Sequence, residues 1–330
     1  MQFGGQKPPL GVVYDCAMGG IGDALALAIL FGFQGKNESR VISVSITRSS
    51  LPAAAFTEAL TRFYLGEPGP FGPGNTPIGV TEGGKLRDDP PMAAAVLARQ
   101  TVDGKVQYPH SIDQWHDTAD PVALIRNAYS AQFDQNAVTV LAGPATNLAQ
   151  TMALPGVKEL ISRKSRYLVT ALGTFPDGPA DPAVAADVTA AKTLFSEWPG
   201  PIVAVGTEVG AALPFPGAAL DKDFTWSPAI PVADAYRAAK SMPYDAASPD
   251  MAAVLYAVRP NETYFKLSDP GTLSVGEDGR LKFTPGANGK HKYLIADPAQ
   301  KDRVQQAFVE LASTKPVPRR SFRPTQKKKE

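Results

Sequence analysis

Short apolar runs alternate with longer segments of helical period through the first two thirds of the chain. LGVVY (Leu10–Tyr14) has the length and composition of a buried parallel strand. DALALAILFGF follows as a helix, with Asp23 placed to favour the positive end of its first turn. RVISVSIT (Arg40–Thr47) reads as the next strand, and AAAFTEALTRFYLG as a helix closed by Gly66. This βαβα opening predicts an α/β fold with a mainly parallel central sheet and helices on both faces.

The same rhythm returns after a long interruption. Glu67–Pro91 is mostly Pro, Gly and charge and reads as a surface excursion bordering a site. DTADPVALIRNAYSAQ is a helix with Pro121 near its first turn, AVTVLAG a strand, and PATNLAQTMAL the helix after it. SRYLVTALG and GPIVAVG are two further strands joined by the helix DVTAAKTLFSEW. Beyond Gly206 the pattern loosens to helices around Ala233–Lys240 and Met251–Val258. Turn-separated strand-like runs from Tyr264 to Ala296 then predict a small β-rich addition near the C-terminus. DPAQKDRVQQAFVELAS supplies a closing helix. There is no internal repeat and no linker before Lys315, so residues 1–314 are expected to form one domain and 315–330 a basic, disordered tail.

Composition narrows the partners. Hydrophobic residues make up 44% and charged ones 20%, which is the balance of an ordinary globular protein. A formal charge of +1 gives no electrostatic basis for nucleic acid or an anionic membrane, and neither is expected as a partner. The basic tail reads as a solvated end, not as a nucleic-acid arm. Cys16 is the single cysteine, which excludes an intramolecular disulfide and leaves a cysteine-based zinc site unsupported. No stretch reaches transmembrane length, and MQFGGQKPPLG lacks the design of a signal peptide. A cytoplasmic location is therefore the default expectation.

The candidate chemistry lies in the turn DCAMGGIGD (Asp15–Asp23), between a strand and a helix. As a dinucleotide loop it fails, because Gly19, Gly20 and Gly22 do not give G-x-G-x-x-G. As an aspartyl-phosphate site of D-x-D type it lacks the second carboxylate, since Ala17 stands there. The third reading is a divalent-cation site assembled from carboxylates at strand ends, which suits calcium. Ser43, Ser45, Thr47 and Arg48 end the second strand, where a site in this architecture would be lined. Arg48 could take a cation's place or bind an anion. Glu208 follows a strand end and is a candidate to face the site, whereas Asp187 reads as a helix cap. His110, His116 and His291 have no metal-type spacing.

Three segments carry a family resemblance. VVYDCAMGGIGDALALAIL, VTVLAGPATNLAQ and ADVTAAKTLF…PIVAVGTEVG resemble the nucleoside hydrolases of the inosine–uridine-preferring type, in order and spacing from about Leu10 to Pro260. That family opens with D-x-D-x-G-x-D-D-A and continues with G-x-x-T-N-x-A, matched here by Gly143–Ala149 with Thr146 and Asn147 in place. The resemblance implies a calcium ion bound by the turn's aspartates, by a later aspartate and by ribose hydroxyls. The ion holds a water that attacks the anomeric carbon of a nucleoside. It also implies self-association into homo-oligomers.

Carried over residue by residue, the resemblance implies Asp15, Asp23, the carbonyl of Ala142 and Asp250 as metal ligands. Ala17 stands where the family has a ligand that is also its general base, Gly22 where it has its penultimate aspartate, and Pro249 where it has a histidine. The turn also differs in length from the family pattern. Asp181 falls on the sugar clamp, next to Ala183, which cannot hydrogen-bond a hydroxyl through its side chain. Asp181, Glu208 and Arg48 are thus the candidate substrate-binding residues, and Asp15 or a metal-bound water would replace the missing base. Two functions remain open: hydrolysis of the N-glycosidic bond of a nucleoside or ribose-like molecule, and a catalytically silent binding or structural role on the same scaffold.

Overall fold

Seven consecutive buried residues form strand β1 (Leu10–Cys16) in the computed structural model, which describes residues 8–66 and 76–316. Helix α1 (Ile21–Gly35), β2 (Ser39–Ile46), α2 (Leu51–Leu65) and β3 (Ile78–Val80) follow. The chain continues through α3 (Pro91–Leu97), α4 (Pro121–Ser130), β4 (Ala137–Ala142), α5 (Thr146–Met152), α6 (Val157–Lys164) and β5 (Ser165–Thr170). Then come α7 (Pro182–Ala186), α8 (Val188–Glu197), β6 (Ile202–Ala204), α9 (Thr207–Ala212), α10 (Ala219–Asp223), α11 (Pro231–Ala239) and α12 (Pro249–Val258). The last elements are β7 (Phe265–Leu267), β8 (Gly271–Val275), β9 (Leu281–Pro285), β10 (Lys292–Ala296) and α13 (Lys301–Ala312).

Among the described residues eight strands make one sheet in the order β3-β2-β1-β4-β5-β6-β10-β7. All pairings are parallel except that of β7 with β10 at the edge. The chain moves outward from β1 to β3 on one side and from β4 to β6 on the other. The connections after β1 and β4 therefore diverge, opening a crevice at the carboxyl ends of these strands. Gly143 closes its floor: a Cβ there would lie 2.7 Å from the Ala17 nitrogen.

The sheet separates two buried layers. Tyr14 and Cys16 of β1 belong to the layer of α1, α2, α11, α12 and α13, and Val13 to the layer of α4, α5, α6 and α8. Because both faces are covered, β1 shows an apolar run without alternation. The expected β-rich addition divides in two. Only β8 and β9 pair separately, packing on α8, while β10 joins the main sheet beside β6 and β7 pairs with it at the edge. The expected surface excursion contains the edge strand β3 beyond residues 67–75, which lie outside the described residues, as does the basic tail beyond Pro316. Among the described residues no helix is long and apolar enough to cross a membrane.

Candidate functional site

The crevice is lined first by the turn between β1 and α1. Asp23 is the third residue of α1, and its Oδ2 accepts the backbone N–H groups of Gly19 (2.9 Å) and Gly20 (3.1 Å). A carboxylate reaching back in this way satisfies helix-entry donors that would otherwise lack partners. Its other oxygen, Oδ1, is buried with no hydrogen-bond partner. Burial pushes the Asp23 carboxyl up to about 6, against the opposing pull of the Gly20 and Gly19 amides and of Arg48.

Asp250 opens α12, which Ser248 caps by accepting the Asp250 N–H at 3.3 Å. Burial raises the Asp250 carboxyl well above the usual carboxylate range, and the facing charge of Asp23 raises it further. The two acids compete for charge, so the pair retains a proton more readily than an isolated aspartate does. Between them lies Gly22, and a Cβ on it would stand 2.1 Å from Ser248 Oγ and 2.6 Å from Asp250 Oδ2. The cap of α12 fills the place where a side chain at position 22 would project.

Asp15 goes elsewhere. In a strand, successive side chains point to opposite faces, so Asp15 lies with Val13 on the α4–α5 side while Tyr14 and Cys16 face α1. Its Oδ1 accepts from Ser45 Oγ (2.7 Å) and Asn147 Nδ2 (2.9 Å), and Asn147 Oδ1 in turn accepts from Thr81 Oγ1 at 2.6 Å. This chain of bonds ties β1 to β2, α5 and the end of β3. Oδ2 is buried without a partner, and burial raises the carboxyl to about 7 despite the two donors.

The remaining candidates are largely committed to the scaffold. Asp181 caps α7 through the N–H groups of Ala183 (2.8 Å) and Val184 (3.1 Å), and its second oxygen accepts from Gly173 N–H at 2.8 Å. Both oxygens of Asp181 are thus engaged by backbone N–H groups. Glu208 sits in the first turn of α9 and accepts the Phe175 N–H at 3.1 Å; burial raises its carboxyl. The Ala142 carbonyl accepts the Ala17 N–H at 3.1 Å. Asp187 is the helix cap it was expected to be, accepting from Ala190 N–H, and it also receives Thr146 Oγ1 at 2.7 Å.

Arg48, two residues beyond β2, is 9% exposed and its guanidinium packs on Gly19. Its Nη1 donates to the Asp88 carbonyl at 3.0 Å and is ion-paired with the Asp88 carboxylate. Nε is buried without a partner. Sequence reasoning placed Arg48 at the site but did not find the groove beside it. That groove, about 450 Å³, runs from Gly19, Gly20 and Ile21 past Pro91 and Met92 to Lys240 and Tyr244. Tyr244 stacks on Tyr236 at 4.4 Å between ring centroids, and each hydroxyl donates to the other residue's carbonyl. The signal available in the sequence was the pair of tyrosines eight residues apart, just before the α12 cap.

Calcium needs six to eight oxygens, and these residues do not fit it. Among the described residues no group of three or more His, Cys, Asp or Glu side chains is arranged to hold a metal ion. Asp15 turns to the opposite face of β1 from the Asp23–Asp250 pair, position 22 is closed by Ser248, and a guanidinium already lies on the turn.

No family model matches this chain, and no curated protein matches it in sequence. Solved structures do match over nearly its whole length. The inosine–uridine preferring nucleoside hydrolase of Bacillus anthracis superposes with a TM-score of 0.65 at 16% identity, covering 92% of this chain and 99% of its own. The purine-preferring ribonucleoside hydrolase of Gardnerella vaginalis gives 0.66 at 18% identity, covering 92% and 98%. An inosine–guanosine nucleoside hydrolase gives 0.69 at 15% identity, with the same coverage of 92% and 98%. At these identities the likeness establishes the fold: a nucleoside hydrolase α/β scaffold with its parallel sheet and strand-end crevice.

Proposed function

From the nucleoside hydrolase fold, we propose that this chain is a binding protein that takes a nucleoside or ribose-like small molecule in the strand-end crevice without efficient N-glycosidic hydrolysis. The observation that carries this reading is the closed turn. Ala17 offers no base, Gly22 has its side-chain space filled by Ser248, and Asp15 is enclosed in hydrogen bonds on the far face of β1. The two turn carboxylates that keep an unpartnered oxygen, Asp15 and Asp23, are buried, which argues against either activating a water in the groove. The groove of about 450 Å³ has the size of a small-molecule site, and Tyr244 gives it an aromatic wall. In this reading residues 1–314 act as one unit, calcium plays no part in the site, and the basic tail is an appendage.

The test pairs calorimetry with a base-release assay, using inosine, uridine and free ribose, with and without about 1 mM calcium. Inosine or uridine is expected to bind with a Kd below about 1 mM, and calcium should not change the affinity. Loss of a general base removes roughly 10²–10⁴ in rate. From a typical turnover of about 10 s⁻¹, hydrolysis should therefore fall below about 0.1 s⁻¹. Turnover at an ordinary enzyme rate would overturn the silent reading, and failure of every nucleoside and of ribose to bind would overturn the ligand class.

A further inference from the structure

We propose that the groove beside the β1–α1 turn takes its ligand by an anionic group of the phosphate monoester class, held between the Lys240 ammonium and the amino end of α1. The proposal rests on the reading of this groove as a small-molecule site and names the chemistry of what enters it. Lys240 lines the groove, and its Nζ stands 5.6 Å from the centroid of the Tyr244 ring. Tyr236 already stacks on that ring at 4.4 Å. A ligand entering along this wall meets an ammonium as well as a ring. Among the described residues Lys240 makes no ion pair, so its charge is free to take an anion.

The turn supplies backbone donors on the other side. Helix α1 starts from an N-cap glycine, Gly20, which has no side chain to cover its end, and Gly20 and Ile21 line the groove. Asp23 takes the N–H groups of Gly19 and Gly20, which leaves those of Ile21 and Gly22 with no acceptor among the described residues. Free amides and the positive end of a long helix favour a phosphate. Arg48 adds an independent demand. It is 9% exposed, and its Nη2 would stand 2.6 Å from a Cβ on Gly19, another residue of the groove wall. Asp88 engages only Nη1; Nη2 has no hydrogen bond among the described residues, and Nε is buried without a partner. The nearby acids are committed elsewhere: Asp23 Oδ2 to the turn amides with Oδ1 buried, and Asp245 Oδ1 to the Gly217 N–H at 2.8 Å. Ammonium, guanidinium and amide donors from three separate segments call for several acceptor oxygens on one group. A phosphate monoester presents three, where a carboxylate presents two.

The test is calorimetry of inosine, inosine 5′-monophosphate, ribose 5-phosphate and inorganic phosphate at one ionic strength, with the wild type, Lys240→Met and Lys240→Arg. The wild type is expected to bind the monophosphate at least about 10-fold more tightly than inosine. Lys240→Met keeps the apolar stem and should cut that ratio about fivefold or more, and Lys240→Arg should restore it. Lys240 is exposed, so both variants should melt with the wild type and a lost ratio reports binding, not unfolding. Equal affinities for inosine and its monophosphate in the wild type overturn the proposal and leave the nucleoside reading standing. A ratio that survives Lys240→Met overturns the placement of the anion. Inorganic phosphate binding as tightly as ribose 5-phosphate overturns the ester class and assigns the donors to the free anion. Binding of the phosphorylated ligands alone supports the proposal and sinks the reading of an unphosphorylated nucleoside. Heat from none of the four overturns both.

Discussion

Substituting Gly22→Asp, which restores a carboxylate where the family resemblance places one, is expected to destabilise the protein by about 3 kcal/mol and to create no calcium site. A Cβ at position 22 would stand 2.1 Å from Ser248 Oγ, 2.5 Å from Ser248 Cβ and 2.6 Å from Asp250 Oδ2. The hydroxyl alone could rotate away, but the Cβ contact forces the backbone cap of α12 to shift. Ser248 would then lose its bond to the Asp250 N–H, a loss of about 1 kcal/mol for a helix N-cap. The new charge would also face Asp23 and Asp250, two acids already raised by burial and by each other. Overpacking, cap loss and like-charge crowding therefore act in the same direction. Denaturant unfolding of Gly22→Ala and Gly22→Asp separates them. Alanine should show the steric share, about 2 kcal/mol, at every pH, and aspartate should add a further loss that grows as pH rises. A Gly22→Asp protein as stable as wild type, or one that gains calcium affinity, would mean that the turn is open and only lacks a ligand.

This closure could not be read from the sequence, although much of the fold could. The runs at Leu10–Tyr14 and Ala137–Gly143 are mostly apolar because both faces of the central strands are covered, Arg40–Thr47 mixes Val and Ile with Ser and Thr, and together they announce β1, β2 and β4. Strand β3 has only three residues, set behind a Pro- and Gly-rich segment, and gave no periodic signal. The short helix α9, which carries Glu208, gave no periodic signal either; the sequence showed only that Glu208 follows a strand end. Within the site, Asp23 and Asp250 were legible as helix-entry acids, because a carboxylate in the first turn is a local feature. The turn away of Asp15 was not legible. Covering both faces erases the alternation that would have shown which neighbours of Asp15 share its side, so the sequence grouped it with Asp23. Ser248 and Tyr244 act through contacts across the fold, with Gly22 and with the groove at Gly19, and no pattern near them in the chain encodes that.

The enclosure of Asp15 has its own measurable consequence: Asp15→Asn is expected to stabilise the protein by about 4 kcal/mol at pH 8 and to flatten its stability between about pH 4 and 7. In the native state this carboxyl is held at about 7 by burial, whereas in the unfolded chain it titrates near the ordinary aspartate value of about 3.9. Below roughly pH 4 both states keep the proton, and the group has no effect on stability. As pH rises above that, the unfolded chain releases the proton while the native protein retains it, so the unfolded state gains and stability falls. The loss continues up to about pH 7 and is complete above it. Asn is always neutral and keeps an oxygen to accept from Ser45 Oγ and Asn147 Nδ2. Its amide nitrogen takes the place of the unpartnered Oδ2, where the protonated acid would also present an unpaired donor, so that cost is common to both proteins at low pH. Near pH 4 the variant should therefore match the wild type to within about 1 kcal/mol, and the advantage should appear only as pH rises. Asp23, raised to about 6, contributes a slope of the same sign and leaves some pH dependence in the variant. Urea unfolding of both proteins from pH 4 to pH 8 gives the comparison. Parallel curves would show that Asp15 carries its charge in the folded protein, which requires a counter-ion beside Oδ2 and would return this carboxylate to the list of groups able to hold a cation.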